Sequence, residues 1–158
     1  MRASTGAAAV LAAQGATLIA APAAHADPTN GSAQHIRNEQ TGRCLDSDQD
    51  GKVYTKPCTA NNSYQQWYTT YLNGTDYYLT IKNTATGMCL TQVSAETVGT
   101  MSCSDGYFKP QRWGMFDYGR ANQLRIDQSL DSDDRGNVCM KDGTRDNRYQ
   151  SSIFAFPR

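Results

Sequence analysis

The chain has 158 residues, in which 15 Lys and Arg balance 15 Asp and Glu. That balance leaves no basic face for nucleic acid. The polar, Tyr-rich composition lacks sustained helical periodicity, which argues against a helical bundle and for an all-β domain with many turns.

In chain order, the first segment reads MRASTGAAAVLAAQGATLIAAPAAHADP. One early Arg, an Ala-rich apolar run and Ala24-His25-Ala26 make residues 1–26 a secretory signal with an A-x-A cleavage site. The run is short and broken by Gln14 and Gly15, so it is not expected to span a membrane, and nothing later is either. Residues 27–34, DPTNGSAQ, are expected to be a flexible N-terminal segment. They read as a plain linker or as a strand for a partner's sheet edge. The folded domain is expected over 35–158, in a secreted, extracellular protein.

That domain repeats internally. CLDSDQDGKVYTKPC begins at Cys44, CLTQVSAETVGTMSC at Cys89 and SLDSDDRGNVCMKDG at Ser129. Upstream of them lie Ile36-Arg37-Asn38, Ile81-Lys82-Asn83 and Ile126-Asp127. Downstream lie Tyr64-Gln65-Gln66-Trp67, Pro110-Gln111-Arg112-Trp113 and Tyr149-Gln150-Ser151-Ser152. These last three run into the strand-like segments YTTY, GMFDY and IFAF. The period is about forty residues. One copy has too little apolar surface to be stable alone. Three around a pseudo-threefold axis can pool their Ile, Trp and Tyr side chains, and closing the strands into a barrel removes exposed edges. Trp67 and Trp113 are predicted core residues, and Ser152 in place of a third Trp makes the third repeat the weakest part of that core.

The order C-L-D, second Cys, Q-x-W, twice in register, resembles the ricin-B-type (QxW) lectin family of β-trefoils, from about Ile36 to Phe156. The resemblance implies a β-trefoil and a secreted carbohydrate-binding module with up to three pockets, one per repeat. Cysteine usage agrees with an oxidising compartment. The expected disulfides are Cys44–Cys58 and Cys89–Cys103, each closing a hairpin and worth about 3 kcal/mol in the chain-entropy model. Cys139 is left over, either a buried free thiol or a bond to another chain.

Asp46, Asp48, Asp50 and Gly51 also resemble the start of a calcium loop. The twelfth position from Asp46 is Pro57 rather than Glu, and Arg135 stands where Asp50 would in the third repeat, so no metal is expected. A sugar site needs an acceptor for hydroxyls, an amide and an apolar platform. By resemblance, the acceptor lies two residues after the first Cys, at Asp46 and Asp131; Thr91 leaves the second pocket dead. The family's stacking ring is replaced by Lys56, Met101 and Lys141. Tyr54, on the same strand face as Lys56, can replace the ring in the first repeat; Cys139 cannot do so in the third. The family's amide position holds Tyr64 and Tyr149, leaving Asn62 and Asn147 as substitutes. Gln65 and Gln150 keep the family Gln, whose commoner role is bracing. Asp46 and Asp131 also read as turn residues capping backbone N–H groups.

No catalytic function is expected. His35 is the one histidine beyond the leader, and no nucleophile elbow, HExxH or phosphate loop is present. Asp46 and Asp131 fall in separate repeats, too far apart in the expected fold for paired glycosidase carboxylates. No cofactor is called for. Asn30, Asn61 and Asn73 begin N-x-S/T triplets, but the leader has bacterial character and no glycan is expected there. Two readings follow. One is a lectin for a cell-surface or cell-wall glycan, favoured by Asp46 and Asp131. The other is an adaptor or subunit of a secreted multiprotein assembly, such as a toxin complex, with decayed sugar sites. The absent platforms, third disulfide and third Trp favour it, as does the spare Cys139.

Overall fold

The structure, a computed structural model, describes residues 32–72, 75, 77–105, 107–117 and 121–155. The expected leader at 1–26, residues 27–31, the Asn73 triplet's first residue and Phe156 lie outside them. The described strands fall into three sets of four. The first is β1 (Ala33–Asn38), β2 (Cys44–Ser47), β3 (Val53–Lys56) and β4 (Gln66–Tyr71). The second is β5 (Tyr78–Asn83), β6 (Cys89–Gln92), β7 (Val98–Met101) and β8 (Trp113–Asp117). The third is β9 (Asn122–Arg125), β10 (Ser129–Ser132), β11 (Val138–Lys141) and β12 (Ser151–Ala155). In each set a single 3-10 turn precedes the fourth strand: Ser63–Gln65, Lys109–Gln111 and Arg148–Gln150.

The outer strands of each set close a ring, β1–β4–β5–β8–β9–β12 and back to β1, with every pair antiparallel. This six-strand barrel leaves no ladder edge open, as the all-β reading requires. The inner strands of each set form hairpins β2–β3, β6–β7 and β10–β11. Side chains alternate along β4, with Trp67 and Thr69 inward and Tyr68 and Thr70 outward. Trp67 and Trp113 are fully buried, and their indole N–H groups donate to the Leu45 and Leu90 carbonyls at 3.0 and 2.9 Å. Ile36, Ile81, Leu124 and Phe154 pack with them. The disulfides Cys44–Cys58 and Cys89–Cys103 are formed, with Cα–Cα distances of 5.0 and 4.9 Å.

The hairpins meet in a cycle. Thr100 N–H donates to the Gly51 carbonyl at 2.8 Å, Met140 N–H to Glu96 at 3.0 Å and Thr55 N–H to Gly136 at 2.8 Å. Gly51 and Gly136 have φ of +83° and +96°, and a Cβ would lie 2.8 Å from Thr100 O and 2.7 Å from Thr55 O. Glycine is required there by both conformation and space.

The structure adds to the sequence reading at two places. Of residues 27–34, the described Ala33 and Gln34 belong to β1, where Ala33 pairs with Tyr68 and Gln34 with Trp67, and Gln34 is buried. Ladder pairing holds these two residues against β4. In the third repeat, Leu124 rather than Ile126 takes the place of Ile36. Arg37, Lys82 and Arg125 are the residues facing Cys44, Cys89 and Ser129, so the connection there is three residues shorter. Ile126 thus stands where Asn38 and Asn83 stand. Those asparagines cap the Thr-Gly turn and donate to the Tyr149 and Tyr64 carbonyls, a link the third repeat lacks.

Candidate functional site

In the first repeat, ladder pairing sets Asp46 opposite Tyr54. The side chain of Asn62 caps the following 3-10 turn by accepting Tyr64 N–H at 3.1 Å, which leaves its amide free to donate to Asp46 Oδ2 at 3.3 Å. Gln65, from the same turn, donates to Asp46 Oδ2 at 3.0 Å and to the Pro57 carbonyl at 3.0 Å, and accepts Thr59 N–H at 2.8 Å. Gln65 is buried, and its amide hydrogens go to Asp46 and Pro57, so it holds the Asp46 side chain in place.

Asp46 forms the floor of an open cavity of about 410 Å³, with Tyr54, Lys56, Asn62 and Tyr64 on its walls. Lys56 Nζ donates to the Tyr54 hydroxyl at 3.3 Å and lies 4.5 Å from the ring centroid. Burial, reinforced by the Asp46 charge, raises the Tyr54 pKa against the pull of Lys56. The hydrogen bond to Tyr54, then the Asp46 charge, raises that of Lys56. The cavity therefore presents a phenol, an ammonium and amides around Asp46. That set can accept and donate to vicinal hydroxyls beside an aromatic face.

The second repeat has no such set. Thr91 accepts from Gln111 at 3.0 Å, Gly99 faces it across the hairpin, and Phe108 occupies the place of Asn62. In the third repeat, Asn147 caps its turn and Gln150 braces Thr144 N–H and the Asp142 carbonyl, but neither amide bonds to Asp131. Lys141 takes Asp131 instead, at 3.1 Å, and this bond raises the lysine pKa. Cys139 faces Asp131 and is half-buried and free of a disulfide; burial raises its pKa and keeps it a thiol. Asp131, Asn147 and Gln150 are therefore not assembled as Asp46, Asn62 and Gln65 are.

Asp48 and Asp133 are turn residues. Asp48 accepts the N–H groups of Asp50 and Lys52, and Asp133 those of Arg135 and Asn137. Bonds from Asn137 lower the Asp133 pKa. Among the described residues no His, Cys, Asp and Glu group has the arrangement of a metal site. Sequence reasoning missed the role of Tyr64 and Tyr149. Their hydroxyls tie each turn to the preceding hairpin through Gln49 at 3.0 Å and Asp134 at 3.1 Å. Matching Gln49-Tyr64 with Asp134-Tyr149 in register was the available signal.

The family model for the cytolethal distending toxin A/C domain matches residues 19–116, through the first two repeats and most of β8. This is the family matched, rather than the QxW lectin family that the motif order resembles. No curated protein sequence matches significantly. Among solved structures, a GlcNAcα1-4Gal-releasing endo-β-galactosidase from Clostridium perfringens is similar, with a TM-score of 0.66 and 17% identity. The alignment covers 78% of this chain but 32% of that one, so this chain spans about a third of that enzyme and the likeness is one of fold. With more than half of its length matched by the family model, the chain belongs to the cytolethal distending toxin A/C domain family.

Proposed function

We propose that this protein is a secreted, non-catalytic carbohydrate-binding subunit of a toxin assembly, built as a ricin-B-like β-trefoil with one working sugar site in its first repeat. The observation that carries this reading is the open cavity above Asp46, where one carboxylate is oriented by two amides beside a tyrosine ring. Asp46 accepts a pair of sugar hydroxyls, Asn62 donates from the side, and Tyr54 offers its face to the pyranose C–H groups. Gln65 holds the carboxylate in place. The family supplies the toxin context and the protein partners; export accounts for the disulfides and for the leader expected at 1–26. No helix among the described residues is long and apolar enough to cross a membrane.

The test is a glycan-array screen of the mature protein beside Asp46→Ala and Asp131→Ala, with folding checked by circular dichroism. Asp46→Ala is expected to lose binding while Asp131→Ala keeps it, since Lys141 already occupies Asp131. Loss in Asp131→Ala alone would move the site to the third repeat. A folded protein silent across the array would favour the second reading, an assembly subunit without a sugar site. The closed second and third repeats support that reading, and pull-down of partner chains from culture supernatant would test it.

A further inference from the structure

A second cavity, of about 430 Å³, opens between the β4–β5 turn and the loop before the Lys109–Gln111 turn, and its walls include Tyr71, Thr75, Asp105, Tyr107 and Arg112. It shares no wall with the cavity above Asp46. Its residues do not follow the threefold pattern. Arg112 stands where the first repeat has Gln66 and the third has Ser151. Those side chains satisfy nearby carbonyls, Gln66 on Ala60 at 2.9 Å and Ser151 on Asn147 at 3.2 Å.

Arg112 has no such partner. Its guanidinium lies 4.7 Å from the Tyr78 ring centroid, and its Nε is buried without an acceptor. The cavity wall includes Arg112, whose guanidinium is a planar fork that matches a carboxylate. Opposite in kind is Asp105, which accepts Tyr107 N–H at 3.1 Å and so orients the loop carrying the Tyr107 ring. That ring is 84% exposed.

We propose that this cavity binds an acidic sugar, with Arg112 on its carboxylate, Tyr107 against the pyranose face and Asp105 accepting ring hydroxyls. The size falls within the range of small-ligand pockets. The charges discriminate among anions. Asp105 repels a compact ion held close to both groups, whereas a sugar ring separates its carboxylate from its hydroxyls, so that each end meets its complement. The site adds a second, charge-selective contact to the glycan-binding reading but does not depend on Asp46.

The experiment is saturation-transfer NMR on the mature protein. The probes are the methyl glycosides of glucuronic acid and N-acetylneuraminic acid, with methyl glucoside as the neutral control and inorganic phosphate as the anion control. Binding of at least one acidic glycoside is expected, weakened about tenfold or more in Arg112→Gln, as loss of a charged hydrogen bond implies, and weakened also in Tyr107→Ala. Asp46→Ala should leave it unchanged. No acidic-sugar signal from the folded protein would overturn the proposal. So would equal binding of methyl glucoside, binding insensitive to Tyr107→Ala that phosphate competes away, or loss in Asp46→Ala. If Arg112→Gln fails to fold, the exposed Tyr107→Ala variant decides.

Discussion

The first and third repeats begin from nearly the same residues and end with opposite chemistry. Both carry Leu-Asp-Ser-Asp, a lysine ten residues after the aspartate, an asparagine-capped 3-10 turn and a bracing glutamine. In the first, the Tyr54 hydroxyl gives Lys56 an acceptor and Asp46 is left to the two amides. In the third, Cys139 stands in that position, and Lys141 falls onto Asp131. The residue on the opposite strand, Tyr54 or Cys139, is thus what separates a carboxylate beside an open cavity from one paired with a lysine.

The repeats also differ in how they are fastened. Where the first has a disulfide, the third has the Arg125 guanidinium, whose atoms lie 2.6 Å from where a Gly143 Cβ would be. Gln123 bonds both the Thr144 carbonyl and Ser129 Oγ beside it. Where the first has Trp67, the third has buried Ser152 and a void of about 10 Å³ bordered by Ile36, Leu130, Val138 and Tyr149. That void has room for about one water.

Making the first repeat resemble the third tests these differences. The largest effect is expected from Trp67→Ser, which removes a fully buried indole and its bond to Leu45 and should cost about 3–5 kcal/mol in chemical denaturation. Next is the Cys44→Ser, Cys58→Ser pair, expected to cost about 3 kcal/mol, less any native strain the bridge holds. The converse, Ser129→Cys with Gly143→Cys, should give no comparable gain, because Arg125 occupies the space; adding Arg125→Ala should recover part of it, read as a rise in Tm.

The paired exchange Tyr54→Cys and Cys139→Tyr sharpens the ligand argument. Tyr54→Cys should move Lys56 onto Asp46 and abolish first-repeat glycan binding, with a stability change within about 1 kcal/mol. Cys139→Tyr should draw Lys141 off Asp131, seen as a change in the lysine side-chain NMR shift. Continued glycan binding by Tyr54→Cys would show that the lysine does not control the site. The smallest effect concerns the seam between these repeats. His35 pairs with Gln66 on one side and Ala155 on the other, and its buried Nε2 lacks a partner. Burial lowers its pKa from the ordinary 6.5, so the unfolded chain binds a proton more readily. Its contribution is therefore complete above pH 6.5 and lost as pH falls from there toward the folded value. Tm measured from pH 7 to pH 5.5 should decline, and His35→Gln should flatten that decline.

Strong local signals made much of this legible. Equal cysteine spacing located both disulfides and the hairpins they close, and Q-x-W located the two buried indoles. The third repeat hid its register because Ile126 imitates Ile36 in sequence, while the shorter connection puts Leu124 in the core. The destination of Lys141 was illegible for another reason. A flexible lysine has several acceptors within reach, and the choice depends on what stands across the ladder. Arg112 was passed over because its significance lies in a missing partner, and only three-dimensional placement reveals which acceptors are out of reach.

The barrel seam also fixes when the molecule can finish folding. β1 has β4 beside it early in the chain, but its other neighbour is β12, so Ile36 waits for Phe154. A chain delivered N-terminus first has its β1 edge open until the last repeat arrives, and contacts of such long sequence separation close slowly. Because β12 is the last strand to be made, the barrel shuts only once all three repeats are present.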